Sequence, residues 1–148
     1  MANLTVASAV GRLNTAIGAL AGWTVPPLPV GLMAEQTRQM AHQVAHAFAA
    51  RTEIDPSRPS GRRQGVAVGA YARTHVVVEY LWRIRPDAYA ADIAEAYDGE
   101  ADLIAALVAV SLVDLQVVFS GADRVVADDR RHLAGSVRIV LTHSIALA

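Results

Sequence analysis

From Thr74 to Ile84 the chain alternates with a period of two. Thr74, Val76, Val78, Tyr80, Trp82 and Ile84 fall on one side, and His75, Glu79, Arg83 and Arg85 on the other. That period predicts a strand with one face buried and one wet. Pro86, which donates nothing to a ladder, ends it. The extended pattern reaches back to Val66, with Gly69 marking a bulge or bend. Near the N-terminus, Val6, Val10, Leu13, Ile17 and Leu20 recur at helical spacing, with Asn3 placed to cap the helix and Gly22 to end it. After Pro86 a second helix is predicted from about Asp87 to Val110. Its buried stripe comprises Ile93, Ala96, Tyr97, Leu103, Ile104, Leu107 and Val108. Gly99 inside it costs about 1 kcal/mol relative to Ala, so it points to close contact or a local bend.

The remaining segments complete the pattern. Pro26, Pro27 and Pro29 exclude a helix over Trp23–Val30, which reads as an extended connector. Met40, Val44 and Phe48 fit a helical spacing but also share one face of a strand, and a strand from about Gln43 to Ile54 is expected. Asp55–Gly65 is a loop by composition, joining two arms of a hairpin at Ile54 and Val66. Leu115, Val117 and Phe119 predict a further strand, Ser120–Ala134 a polar connection, and Val137, Ile139, Leu141, Ile145 and Leu147 one face of a final strand. The expected fold is α+β: a mostly antiparallel sheet of about four strands with two helices packed on one face, forming a single domain over residues 1–148.

Composition narrows the function classes. At 148 residues the chain can bury a real core, and a hydrophobic content of 53% argues against disorder. Aromatics are only 5%, so that core must be built mainly from Ala, Val, Leu and Ile. A net charge of -1 argues against a strongly basic reader of duplex DNA. The absence of cysteine excludes disulfides and thiolate metal sites. The apolar run Leu103–Val113 is broken by Ser111 and falls short of the roughly 20 residues a membrane span needs. MANLTVASAVGRLN carries no export pattern, so a soluble protein made in the cytoplasm is expected.

No constellation of catalytic residues stands out. His42 and His46 are four apart, but Gln43 stands where a zincin motif places its glutamate, and no third ligand follows at a suitable spacing. His75, His132 and His143 have Ser120, Ser136 and Ser144 nearby, without a G-x-S-x-G elbow. The acid pair Asp98/Glu100 reads as the exposed side of a helix, and Asp128/Asp129 as a polar loop. Gly65–Gly69 matches neither phosphate-binding glycine fingerprint. No catalytic, metal or cofactor residue is therefore assigned, and no cofactor is expected. The interface candidates are the loop arginines Arg58, Arg62 and Arg63, with Arg130 and Arg131 further on. Val66, Val68, Ala70 and Ala72 alternate with Ala67 and Gly69, so neither sheet face is strongly polar there. Helices can cover one face and a neighbouring subunit the other. A rival reading, a small α+β enzyme or ligand-binding domain, expects a pocket ringed by His75, Glu79 and Arg83.

The order helix, hairpin, helix, two strands resembles the tail terminator proteins of long-tailed bacteriophages. The resemblance rests on His46-Ala47-Phe48, the Gly61-Arg62-Arg63 loop, the Arg73–Arg85 strand, Tyr97-Asp98-x-Glu100, and the closing segments Asp114–Phe119 and Gly135–His143. It covers roughly Leu4 to Leu147. It implies a structural virion protein rather than an enzyme. Such a protein forms a hexameric ring on the last ring of tail-tube subunits, stops tube growth and meets the head-side connector. DNA passes through the lumen without sequence-specific binding, and no membrane is involved. Head–tail adaptor or stopper proteins of the phage neck are similar enough to be the alternative.

Overall fold

The computed structural model describes residues 3–55, 61–63 and 66–145. Helix α1 (Val6–Ala19) leads through a proline-rich connector and a short 3-10 turn (Val30–Leu32) to a brief helix α2 (Glu35–Met40). Strand β1 (Val44–Ile54), the short β2 (Gly61–Arg63) and the long β3 (Val66–Arg83) follow. A 3-10 turn at Pro86–Ala88 opens α3 (Tyr89–Val108), and β4 (Leu115–Val126) and β5 (His132–Ile145) close the chain. The sheet order is β1-β3-β5-β4, with β2 pairing β3 beyond it, and every pairing is antiparallel. This is the expected α+β architecture, with α1 and α3 on one face. None of the described helices is long and apolar enough to cross a membrane.

The period-two pattern of β3 decides which face is covered. Val76, Val78, Tyr80, Trp82 and Ile84 are buried beneath α1 and α3, together with Ala45, Ala47, Val137, Ile139 and Leu141. On α1 the buried residues are Ala9, Leu13 and Ile17. With few aromatics available, three are concentrated at one place. Trp23 meets Tyr80 edge-on at 5.9 Å between ring centres and Trp82 at 5.8 Å. Two glycines make room for this group. Gly135 lies opposite Tyr80 in the ladder, and a methyl there would fall inside the Tyr80 ring. A methyl on Gly99 would likewise fall inside the Trp82 ring, so of the two readings of Gly99 the close contact holds.

Several boundaries differ from those read in the sequence. Thr5, not Asn3, caps α1, accepting a hydrogen bond from the Ser8 amide, while Asn3 accepts one from the Ser144 hydroxyl. The helix ends at Ala19, and Gly22 lies beyond it with φ +84°. The polar stretch Ser120–Ala134 is not a connection: most of it is strand, forming a hairpin around a turn at residues 127–131. The reason is a bulge. Ser120 is an extra residue between the pairs Phe119–Ile139 and Gly121–Arg138, and it shifts the alternation by one. Leu115 and Val117 face the helices before the bulge, and Ala122, Arg124 and Val126 do so after it. On α3, Leu103 and Leu107 are buried, but Ile104 is only half-buried, and Tyr97 and Val108 are exposed. The apolar stripe is narrower than the sequence suggested because Asp92, Gly99 and Glu100 occupy buried positions on the same helix.

The Gly99 contact makes a prediction with opposed contributions. Helix propensity alone favours Gly99→Ala by about 1 kcal/mol. Overlap with a tryptophan ring already held by Trp23 costs about 1–3 kcal/mol. Gly99→Ala is therefore expected to lower the urea midpoint; a raised midpoint means that Trp82 moves aside freely.

Candidate assembly surface

Three polar clusters test whether this fold carries an active site. In the first, Glu100, read from the sequence as lying on an exposed helix side, is buried at 2% exposure. It accepts hydrogen bonds from the Tyr80 hydroxyl and from Arg124, whose Nε lies 2.7 Å away. Tyr80, Gly135 and Arg124 form one row across three strands, so the two donors converge over the glycine onto the helix carboxylate. Burial first, then the hydrogen bond and charge of Glu100, push the Tyr80 hydroxyl well above its ordinary range. Tyr97 covers the arginine, with its ring centre 5.2 Å from the guanidinium. The carboxylate is fully engaged, and the cluster locks α3 to β4.

The second cluster lies at the far end of the sheet. His143 is buried, with Nδ1 2.9 Å from the Leu4 carbonyl and Nε2 2.8 Å from the Thr74 hydroxyl. A carbonyl only accepts, so Nδ1 is the donor there. This bond and the Leu4 amide to Ser144 carbonyl bond pin the N-terminal segment to β5. In the third, buried His132 lies 2.7 Å from the Ala41 carbonyl and 2.8 Å from the Asp129 carboxylate. Ser144 is spent on Asn3, and Ser120 lies at the bulge. These histidines and serines hold segments together and form no nucleophile–base pair.

The two histidines read as a possible metal pair are set apart by local backbone. His42 precedes β1, accepts from the Arg83 amide at 3.3 Å and stacks edge-on against Trp82. Gln43, with φ +51°, breaks the chain before His46, whose Nδ1 lies 3.1 Å from the Pro26 carbonyl. Among the described residues no three His, Cys, Asp or Glu side chains gather to hold a metal. Nor do His75, Glu79 and Arg83 ring one pocket. His75 binds Glu53; Glu79 lines a cleft of about 400 Å³ beside Glu35, Asp129 and His132; Arg83 lines a smaller one near His42. They share a face, but four-residue spacing along an extended strand separates them by about 13 Å each.

What stands out instead is the second face of the sheet. Val30, Ala41, Val44 and Leu81 form a small core where the connector and the 3-10 turn cover one end. Beyond this, Phe48, Val77 and Val140 are half-buried with no helix above them among the described residues, and Val118 is 59% exposed. Val113, Phe119 and Val125 add exposed apolar surface along and beside β4, at 90%, 42% and 65%. Charged pairs border the face: Arg138–Asp123 at 2.7 Å, and Glu53 with Arg51 at 2.7 Å and His75 at 3.1 Å. The His75 hydrogen bond, aided by the Arg51 and Arg73 charges, holds Glu53 below the usual carboxylate range.

Both outer strands of the sheet have part of their open edge occupied by the chain itself. The Asn14 amide takes the Ala47 carbonyl and receives the Ala47 amide, and Thr24 accepts from Ala45. On β4, the Ser111 hydroxyl takes the Val117 amide, and Leu112 exchanges hydrogen bonds with Leu115. Such cover blunts edge-to-edge pairing. Nothing in the sequence pattern marked Asn14 or Ser111, because each acts on backbone far from it in sequence or across a tight turn. Among the interface arginines, Arg58 lies outside the described residues. Arg62 and Arg63, expected in a loop, are instead on strand β2, because their backbone pairs with Ala67 and Val66 of β3, whereas Arg130 and Arg131 sit in the exposed β4–β5 turn, next to the strand end opposite Arg83. The structure places the two groups at opposite ends of β3.

No protein-family model matches the chain, and comparison with curated proteins finds no match either.

Two predictions come from these clusters. Arg124→Met strands a buried carboxylate and is expected to cost about 3 kcal/mol in chemical denaturation, the low end for buried pairs because the arginine is partly exposed. An unchanged midpoint would mean that water replaces it. At the start of α3, the Arg85 side chain and amide both bind Asp92 and hold its pKa at about 2, below the ordinary 3.8. A depressed carboxylate contributes stability above its unfolded pKa and loses it as pH falls through the folded one. Wild-type stability should therefore fall between about pH 4 and pH 2, and Asp92→Asn should flatten that part of a pH series of thermal melts.

Proposed function

We propose that the protein is a structural component of a phage tail, a terminator that forms a closed ring on the head-proximal end of the tail tube. In this reading the ring ends tube polymerisation and presents its other side to the head connector, in the virion. The observation that carries it is the half-open sheet: one face is sealed by α1 and α3, while the other keeps Phe48, Val77, Val140 and Val118 without a helical cover among the described residues. Closed rings need a heterologous contact between different patches of identical subunits. An apolar sheet face and an exposed apolar rim along β4 offer two such patches, and the self-covered edges direct contact to faces rather than to strand addition. The reading also draws on the resemblance to phage tail terminators carried by the sequence order helix, hairpin, helix, two strands. The near-neutral net charge suits a lumen that lets DNA pass.

The test is assembly. Light scattering and negative-stain images of the purified chain, alone and with tail-tube subunits, are expected to give a ring of about six copies that arrests tube elongation. A ring that binds only a portal or connector would replace termination with an adaptor role. A monomer that leaves tube elongation untouched would overturn both.

A further inference from the structure

One end of the second sheet face is covered by a segment tied down at its two ends and little in between. The Pro26 carbonyl accepts from His46 Nδ1 at 3.1 Å, and the Ala41 carbonyl accepts from His132 Nε2 at 2.7 Å. Between these anchors the backbone hydrogen bonds are local, as from Leu32 to Pro29, Met33 to Val30 and Arg38 to Ala34. Among the described residues, no side chain of residues 27–40 makes a hydrogen bond or ion pair to the sheet. Helix α2 is six residues long and has no side-chain cap at its start. A helix that short needs packing to persist, yet its described side chains are all exposed.

The segment buries little. Val30 is buried and Met33 half-buried, and with Ala41 they cover Val44 and Leu81 in a core separate from the one beneath α1 and α3. A cleft of about 400 Å³ remains between the two layers, with Gly31, Glu35 and Arg38 on one side and Glu79 and Leu81 on the other. Well-packed interiors leave few voids larger than a water molecule. Segments with few buried apolar contacts open at far lower free energy than the whole domain.

We propose that residues 27–40 form a flap that opens as a unit while the four-stranded sheet and its helices stay folded. Opening uncovers one row across the sheet: Val44 on β1, Leu81 on β3 and Ala134 on β5, which pair in register. The next residue of that row is Val125 on β4, exposed even when the flap is closed. The open form thus presents an apolar row across all four strands. The flap also carries exposed Leu28, Leu32 and Met40, so it is apolar on both sides. The occupant of the uncovered row is a second copy of this chain, because the row runs on from the β4 rim proposed for subunit contact. That use rests on the assembly reading; the flap itself is a property of one chain.

The protein has no cysteine, so a single introduced thiol reports alone. Leu81 under the flap and Leu133 beneath the helices are 3% and 4% exposed, at adjacent ladder positions on opposite faces. Leu81→Cys and Leu133→Cys are therefore matched probes, and Val44→Cys is a second one under the flap. Each is labelled with an aromatic disulfide reagent in native buffer, at a dilution where light scattering shows a monomer. Leu81→Cys and Val44→Cys are expected to react about 100-fold or more faster than Leu133→Cys. Adding Val30→Ala, which removes the buried anchor of the flap, should speed both flap probes about tenfold and leave Leu133→Cys unchanged. Urea melts check that every variant is folded. Equal rates under the flap and beneath the helices overturn the proposal, because Leu81 is then reached only by global unfolding. So does equal acceleration of all probes by Val30→Ala. Ring formation and tube arrest are read separately, so the flap and the assembly reading can each fail alone.

Discussion

The helix layer depends on an absence: Gly135 has no side chain. Its bare Cα lets the Tyr80 ring lie flat across the middle strand and lets Arg124 reach over from the next one. Only because both arrive at the same place can Glu100 be buried with its oxygens engaged. An unpaired carboxylate at that depth would oppose folding, since burying a charge without partners costs several kcal/mol. Trp82 and Gly99 repeat the arrangement one step along, aromatic against bare backbone, so α3 approaches the sheet more closely than leucine and valine contacts would allow. A core otherwise made of small aliphatic residues thus fixes the position of its main helix through three aromatics and two glycines.

Much of this architecture is legible in the sequence because it follows from periodicity. The alternation in β3 gives the correct buried face, the α1 stripe includes the buried Leu13 and Ile17, and the prolines of the connector exclude helix. What was not legible depends on residues brought together from afar. Glu100 looks solvent-facing beside Asp98, and only its tertiary partners make it internal. The strand through Ser120–Val126 was hidden because one extra residue inverts its pattern partway, turning a regular alternation into what reads as polar loop. The candidate surface was legible in outline, as a sheet with one face to spare. Its edge covers at Asn14 and Ser111 were not, since a single amide or hydroxyl has no period.

The polar clusters and the open face divide the work of the molecule. Buried histidines and carboxylates are used up in tying the N-terminus to β5, the end of α2 to the start of β5, and α3 to the sheet. Each is satisfied within the chain, so the interior has no polar group waiting for a substrate in these clusters. Unsatisfied capacity lies outside, in the apolar face that no described helix covers. A protein built this way has its chemistry directed at surfaces, which is the property that the assembly reading uses.

The bulge at Ser120 also affects how related chains should be compared. It works as a phase shifter: upstream of it odd-numbered residues face the helices, and downstream even-numbered ones do. Two sequences could therefore share this strand, its partners and its buried arginine, yet look unrelated when aligned without a gap, because one lacks the extra residue. In such a pair the inward arginine of one would stand against an outward valine of the other. Similarity along β4 is best sought by ladder position, counted from the partner strand, and not by residue count along the chain.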